Sequence, residues 1–217
     1  MAKQERAVRT RNALIESAAE LFDRDGFETA SLSMISARAG VSSGALHFHF
    51  ASKADLADAV GHAAALRLDR ITAREADDTL QSLIDATYAL VAALGRDAVL
   101  RAGFGLSDGV GRERAGAGVR QVWQEWVEGV LVRAAAEGAL ARGVSAEDAA
   151  AVVVAATAGL ESLGRHDPRW FSPDSLTRFW RLLLPRLART SNLRASAPSV
   201  APGSLAASGA RRLNRRY

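Results

Sequence analysis

The stretch that decides the fold is residues 31–50, which read SLSMISARAGVSSGALHFHF. A short second helix can be capped by Ser31 or Ser33 and ended by Gly40, and Ser42 can cap a short third helix. Two short helices joined by a tight turn are typical of a helix-turn-helix, a motif that places its second helix in the major groove of DNA. The spacing therefore favours a DNA-binding unit near the N-terminus.

The rest of the chain has the hydrophobic spacing of α-helices, so we predict an all-α protein. Helix 1 has an apolar stripe and is expected to end at Gly26; the stripe comprises Leu14, Ile15, Ala18, Leu21 and Phe22. Ser52, with Asp55 three residues later, predicts the start of a fourth helix. Pro185 is expected to end or kink the last helix. The later helices are predicted at about 79–94, 98–106, 119–137, 146–164 and 173–187.

Composition limits the class of protein. The 217 residues are 48% hydrophobic and only 6% aromatic, which suits helix-on-helix packing, and the chain has no cysteine for disulfides or thiolate metal sites. No run of about 18 uncharged apolar residues occurs, so we expect no membrane association and a cytoplasmic location. The net charge is +4, with basic residues concentrated at both ends. Such ends attract phosphate backbones, although two solvated termini are equally compatible with the charge alone.

We find no sequence sign of an enzyme. Hydrolase, zinc-protease, phosphate-loop and dinucleotide motifs are all missing, so no cofactor or metal is expected. His47 and His49 lie two residues apart and would point away from a shared metal, and His166 with Asp167 would make a weak acid–base pair. The alternative to a DNA-binding protein is a non-enzymatic helical scaffold, or an anti-repressor that has lost DNA binding.

The helix-turn-helix hypothesis names the candidate DNA contacts. The small residues that begin the third helix permit close approach to base edges, and serine hydroxyls can reach phosphates or bases. One or both histidines should reach the phosphate backbone, and Lys53 can add a cation where the fourth helix begins. The candidates are Ser31, Ser42, Ser43, Gly44, Ala45, His47, His49 and Lys53.

The stretch 31–50 resembles the DNA-binding signature of the TetR family, with a match that extends over about residues 10–56. The resemblance implies a homodimer that binds double-stranded operator DNA, with a three-helix head, a linking fourth helix and a ligand-binding body. It divides the chain into a DNA-binding domain at 1–52, a ligand-binding and dimerisation domain at 53–190, and a disordered basic tail at 191–217. A mobile loop is also expected at 108–118, because it is rich in glycine.

The head, the HFHF sequence and the later stretches AVLRAGFGLSDG and WQEW are similar to the γ-butyrolactone autoregulator receptors of Streptomyces-like bacteria. Those receptors usually carry Thr-Lys-Gly-Ala-Leu-Tyr where this chain has SSGALH, so Ser43 replaces a base-contacting lysine. Ala64 and Leu160 stand where a glutamine and a threonine are expected. Since polar partners provide discrimination in such pockets, we favour a pseudo-receptor that answers to an antibiotic or related molecule, with a true butyrolactone receptor as the alternative.

The resemblance implies that Trp126 contacts a small apolar ligand. Other candidates for the same cavity are Trp123, Phe104, Tyr88, Leu83, His62 and Leu160, with His62 facing the body from the fourth helix. Ordinary core packing explains most of these residues at least as well. The same holds for the apolar stripe expected at the dimer interface, which comprises Val152, Val153, Ala156, Leu160, Leu176, Phe179, Trp180 and Leu183.

Overall fold

The computed structural model describes residues 2–73, 79–107 and 118–189. Almost all of the predicted mobile loop at 108–118 and the predicted disordered tail lie outside the described residues. Within the described ranges, regular structure consists of α-helices and one 3-10 helix, which confirms the all-α prediction. An isolated antiparallel bridge joins Leu140 to Ala188.

The helices follow the predicted order, with bounds that differ by at most a few residues. The 3-10 helix Pro168–Phe171 precedes the last α-helix. The α-helices are α1 (Ala2–Asp25), α2 (Leu32–Arg38), α3 (Ser43–His49), α4 (Lys53–Thr72), α5 (Thr79–Leu94), α6 (Ala98–Leu106), α7 (Val119–Ala136), α8 (Ala146–His166) and α9 (Pro173–Leu187).

Serine side chains cap four of these helices, and the caps of α2, α3 and α4 are among those that the sequence predicts. Each cap satisfies an otherwise orphaned amide and contributes about 1 kcal/mol. The Oγ atoms accept hydrogen bonds from the backbone N–H three residues on, in the pairs Ser31–Met34 (3.2 Å), Ser42–Ala45 (3.2 Å), Ser52–Asp55 (3.0 Å) and Ser145–Asp148 (2.9 Å). Gly26 and Gly40 have φ angles of 82° and 66°, the left-handed backbone that ends a helix without a steric penalty.

Pro185 does not end the last helix, because α9 continues to Leu187, the bound predicted from the hydrophobic spacing. Proline removes one backbone donor, but here it lies in the final turn, where few helical bonds remain to be lost. The end of the helix is also held from outside. The amide of Ala141 donates to the carbonyl of Leu187 (2.8 Å), and the amide of Arg189 donates to the carbonyl of Ala139 (2.9 Å).

The core extends through a small N-terminal head, formed by α1 to α3, and a larger helical body. Leu14, Ile35 and Leu46 are buried in the head. α1 also packs on α4 and α6, and in the body α7 packs on α8 while α5 contacts α7 and α9. Two buried indole N–H groups donate across helices at 2.9 Å, from Trp123 to Thr157 Oγ1 and from Trp180 to Thr87 Oγ1. These bonds tie α7 to α8 and α9 to α5.

Candidate nucleic-acid interface and ligand-binding residues

Two apolar anchors orient α3 on the head. Leu46 and Phe50 are four residues apart, one helical turn, and both are buried. Their burial directs the opposite face of α3 to solvent. Ser42, Ser43, Gly44 and His47 are exposed, whereas Ala45 and His49 are half-buried. The candidates from the predicted third helix therefore share one accessible surface, in the arrangement that a major-groove helix requires.

Phe48, which is absent from the candidates predicted from the sequence, is 82% exposed on α3. Its ring meets His49 edge-on, with centroids 5.1 Å apart. Hydrophobicity alone suggests that Phe48 joins the core with Phe50. The spacing of Leu46 and Phe50 was the available signal, since a residue midway between two buried positions on a helix points away from the core.

The structure gives Lys53 a different role from the phosphate contact that the sequence suggests. Its ammonium group donates to the carbonyls of Phe27 (2.8 Å), Glu28 (3.2 Å) and Ala30 (3.1 Å), and it lies 4.4 Å from the centroid of the Phe27 ring. An ammonium has three donors, and these carbonyls take all of them. Lys53 therefore holds the connection between α1 and α2. Ser31, besides capping α2, shares a hydrogen bond with Ser33 at 2.9 Å.

α1 carries exposed basic residues, one of which contacts the end of α3. Arg6, Arg9 and Arg11 are exposed. The guanidinium of Arg11 lies 5.2 Å from the centroid of the Phe50 ring, at the end of α3. This contact brings the positive charge of α1 to the same end of the molecule as the candidate DNA contacts.

In the body, most of the candidate ligand residues belong to the packed interior. Leu83, Phe104, Trp123 and Leu160 are buried. Trp126 is partly buried and stacks on Trp123, with centroids 5.3 Å apart and ring planes 22° from parallel. The structure thus brings the two tryptophans together, with Trp126 on the more accessible side.

Two other body candidates lie elsewhere. The partly buried Tyr88 shares a hydrogen bond with Thr177 Oγ1 of α9 at 2.7 Å. The expectation that His62 faces the body is wrong, because its side chain is exposed. α4 buries Val60 and Ala64 instead, and position 62 lies on the opposite side of the helix from both.

α4 and α6 pack closely at Ala64. This residue is fully buried, and a Cβ added to Gly103 would lie 2.3 Å from the Cβ of Ala64. Non-bonded carbon atoms do not approach so closely without displacement. Only a glycine at position 103 therefore allows this contact between the two helices.

His166 and Asp167, the pair considered for acid–base chemistry, make structural contacts at the end of α8. His166 Nδ1 lies 3.2 Å from the carbonyl of Ser162, and the Asp167 carboxylate accepts hydrogen bonds from Arg169. Those side-chain bonds lower the pKa of the Asp167 carboxyl, which makes it a weaker base. Among the described residues no group of three or more His, Cys, Asp or Glu side chains could hold a metal ion. Of the described helices, none is both long and apolar enough to cross a bilayer.

The model of the bacterial regulatory proteins of the tetR family matches residues 14–60, from the middle of α1 into α4. The A-factor receptor protein of Streptomyces griseus is 32% identical over 196 residues, covering 87% of this chain and 67% of the receptor. A crystal structure of an ArpA-like γ-butyrolactone receptor is 30% identical, with a TM-score of 0.73, covering 86% of this chain and 92% of the receptor. CprB of Streptomyces coelicolor, in complex with its operator sequence, is 30% identical, with a TM-score of 0.74 and coverage of 88% and 94%.

These likenesses extend from the head through most of the body, and they confirm both the family and the receptor-type group expected from the sequence. Members of this family are regulators and not enzymes. This chain therefore belongs to the TetR family of DNA-binding bacterial regulators and is a relative of the A-factor and γ-butyrolactone receptors.

Proposed function

We propose that this protein is a dimeric, effector-controlled repressor of secondary-metabolite genes, acting on the chromosome in the cytoplasm. The observation that carries the proposal is the open face of α3, held outward by the buried Leu46 and Phe50. The N-terminal half of α3 enters the major groove, where Ser43, Gly44 and Ala45 approach the base edges. His47 and His49 lie toward the phosphates.

Phe48 adds an apolar contact to this surface. An exposed aromatic ring suits the methyl group of thymine, the apolar feature of the major groove. Ser31 and Ser42 supply hydroxyls at the starts of α2 and α3. Lys53 supports the head from within, because its donors are committed to backbone carbonyls.

A twofold dimer would present two heads to successive major grooves about 34 Å apart, so the operator should be roughly palindromic. The protomer core takes several residues of the stripe considered for the interface, including Val153, Leu160, Leu176 and Trp180. Large apolar side chains that remain exposed on α8 and α9 are Val152, Leu163 and Leu182, the last 77% exposed. These residues are better placed than the buried ones to meet a partner protomer.

We further propose that the protein is a pseudo-receptor. Its effector would be an apolar molecule that contacts Trp126 and belongs to the antibiotics or their intermediates. The observation that supports the proposal is the close packing of Ala64 against Gly103, which puts a methyl group where the resemblance leads us to expect a glutamine. Leu160 adds a second apolar side chain where a polar group is expected. The alternative is a true γ-butyrolactone receptor that the autoregulator releases from DNA.

Gel shifts on DNA upstream of the protein's own gene and neighbouring biosynthetic genes test these proposals. We expect a specific complex that weakens steeply with salt, because phosphate contacts dominate the affinity. Ser43→Glu, which places a carboxylate on the exposed face of α3, should abolish the complex without unfolding the head. Failure of the wild-type protein to bind any such DNA would instead favour a scaffold without DNA binding.

The same assay distinguishes the two effector classes. γ-Butyrolactones and antibiotic-containing culture extracts are added separately to the preformed complex, with Trp126→Ala as the variant that should stay bound. Release by the extract alone supports the pseudo-receptor. Release by a γ-butyrolactone would overturn our interpretation of Ala64 and Leu160 and establish the alternative.

A further inference from the structure

The head is joined to the body by ion pairs that start from one face of α1. Glu16 and Asp23 are seven residues apart, two helical turns, so they share a face. Glu16 pairs with Arg67 of α4, which also pairs with Asp97 at the start of α6. Asp23 accepts from Arg101 of α6 at 2.8 Å and lies 3.4 Å from Nη1 of Arg165 on α8. The acids thus tie α1 to the body at two levels.

The contacts of Asp23 continue deeper into the body. Arg165 donates through Nε to Glu161 at 2.5 Å, and it also donates to the carbonyl of Arg101. Glu161 accepts a further bond from Arg120 of α7 at 3.0 Å. We call Asp23, Arg101, Arg165, Glu161 and Arg120 the head–body network. It connects α1, α6, α7 and α8 through hydrogen bonds and ion pairs.

The head–body network is largely withdrawn from water. The Glu161 side chain is only 3% exposed, and that of Asp23 is 14% exposed. Room for the Arg165 guanidinium depends on Gly105, where an added Cβ would lie 2.8 Å from Nη2. Buried ion pairs add little stability over apolar residues of similar size, whereas their directional bonds favour one relative placement of the groups they join. We therefore expect this network to fix the relative orientation of the helices that it joins more than to add stability.

The orientation of α1 determines the orientation of α3. Arg11 of α1 contacts Phe50 at the end of α3, Glu20 of α1 pairs with Arg38 of α2, and Leu14 lies in the shared core of the head. The head thus moves with α1. A change in the angle between α1 and the body would move the DNA-contacting surface by the same rotation.

We propose that Asp23, Arg101 and Arg165 are positioning residues for DNA binding, which fix the angle of the head and so the separation of the two heads in the dimer. Glu161 holds Arg165 in place for this role. The inference rests on the proposed function, since head separation matters only for a dimer on a two-half-site operator. It predicts that the network determines which half-site spacing the protein prefers.

The test compares Asp23→Asn with Glu20→Gln. The first substitution keeps the shape of the side chain and removes the charge that pairs with the body. Glu20 is also an α1 acid, but its partner Arg38 lies within the head, which makes Glu20→Gln the matched control. Affinities are measured on operators whose half-sites are moved by −1, 0, +1 and +2 base pairs, with thermal unfolding measured alongside.

We expect Asp23→Asn to lose affinity on the order of tenfold at the preferred spacing and less at the others, which flattens the spacing profile. A merely structural role would lower affinity equally at all spacings. Glu20→Gln should keep the wild-type profile. If the Asp23→Asn protein does not fold, the double variant Asp23→Asn, Arg101→Gln replaces it in the test, because this variant removes one charge of each sign.

The inference is overturned if the Asp23→Asn protein loses affinity equally at every spacing, or if its spacing profile is the same as that of the wild-type protein. A wild-type protein that binds all spacings equally overturns the inference as well, because the network would then determine no preference. Failure of the wild-type protein to bind any palindromic operator is a different outcome, because it overturns the proposed function itself.

Discussion

The head and the body place their candidate functional residues in opposite ways. On α3 the candidates are exposed or half-exposed, and different residues, Leu46 and Phe50, form the core. In the body, Leu83, Phe104, Trp123 and Leu160 are candidates for ligand contact and are also buried. On α3, function and folding are carried by separate residues, whereas the buried candidates of the body would carry both. Substitutions should therefore separate the two properties on α3 and confound them at the buried body positions.

The largest effect is expected from Trp123→Ala. The change removes a buried ring and leaves Thr157 without its indole donor, so we expect a loss of about 3–5 kcal/mol in the free energy of unfolding. Denaturant unfolding measures it. Trp126→Ala is the matched variant: the side chain is partly exposed, so stability should fall less while effector release is lost. Equal destabilisation by both would contradict the assignment of different roles to the two tryptophans.

The next effect concerns the α4–α6 contact. Gly103→Ala forces a methyl group against Ala64 and should cost about 1–3 kcal/mol of unfolding free energy. Ala64→Gly in the same chain should restore most of that loss. Gly61→Ala on α4 is the control, because nothing lies within 4 Å of the added Cβ. It should stabilise the helix by about 0.5–1 kcal/mol. A Gly103→Ala protein as stable as wild type would show that the helices can separate freely.

In the head, two substitutions should change DNA binding with little effect on folding. His49→Ala should weaken binding to all operators by on the order of tenfold, since a phosphate contact carries no sequence information. Ser43→Lys should change which operator is preferred, because it restores a lysine where related receptors carry one. Binding titrations on a panel of half-site variants measure both. Equal loss across all sequences for both changes would contradict the role given to Ser43.

The smallest effects are expected from the removal of two helix caps that have the same chemistry. Ser42→Ala and Ser145→Ala each remove a hydroxyl that accepts one backbone amide, and each should cost about 1 kcal/mol in unfolding free energy. Only Ser42→Ala should also reduce operator affinity, because Ser42 lies at the DNA-facing start of α3. Thermal unfolding and gel shifts on both variants check this expectation. Reduced operator affinity in the Ser145→Ala protein would show that body stability alone affects DNA binding.

Local signals made most of the secondary structure predictable. Caps such as Ser52 and end glycines such as Gly26 act over three or four residues, so their effect can be inferred from neighbours in the chain. Pro185 does not end α9, because contacts made by Ala141 and Arg189, outside the helix, hold its last turn. Local propensity does not include such contacts.

The candidate site was predictable in outline and less so in detail. The small residues of α3 lie on the accessible face that the helix-turn-helix pattern indicates. The role of Lys53 could not be inferred, because its carbonyl partners lie 23 to 26 residues earlier in the chain. The orientation of His62 could have been inferred, because Val60 and Ala64 are one helical turn apart and place position 62 on the other side of α4.

By itself the sequence determined the all-α class, the order of the helices, the helix-turn-helix and the family, because periodicity, caps and a contiguous motif are properties of neighbouring residues. The tertiary structure alone decided that Ala64 meets Gly103 and that Asp23 pairs with Arg101 and Arg165. These contacts join residues up to 142 positions apart in the chain. Pairing over such separations depends on how whole helices pack, and helix packing depends on the shapes of all the side chains at once.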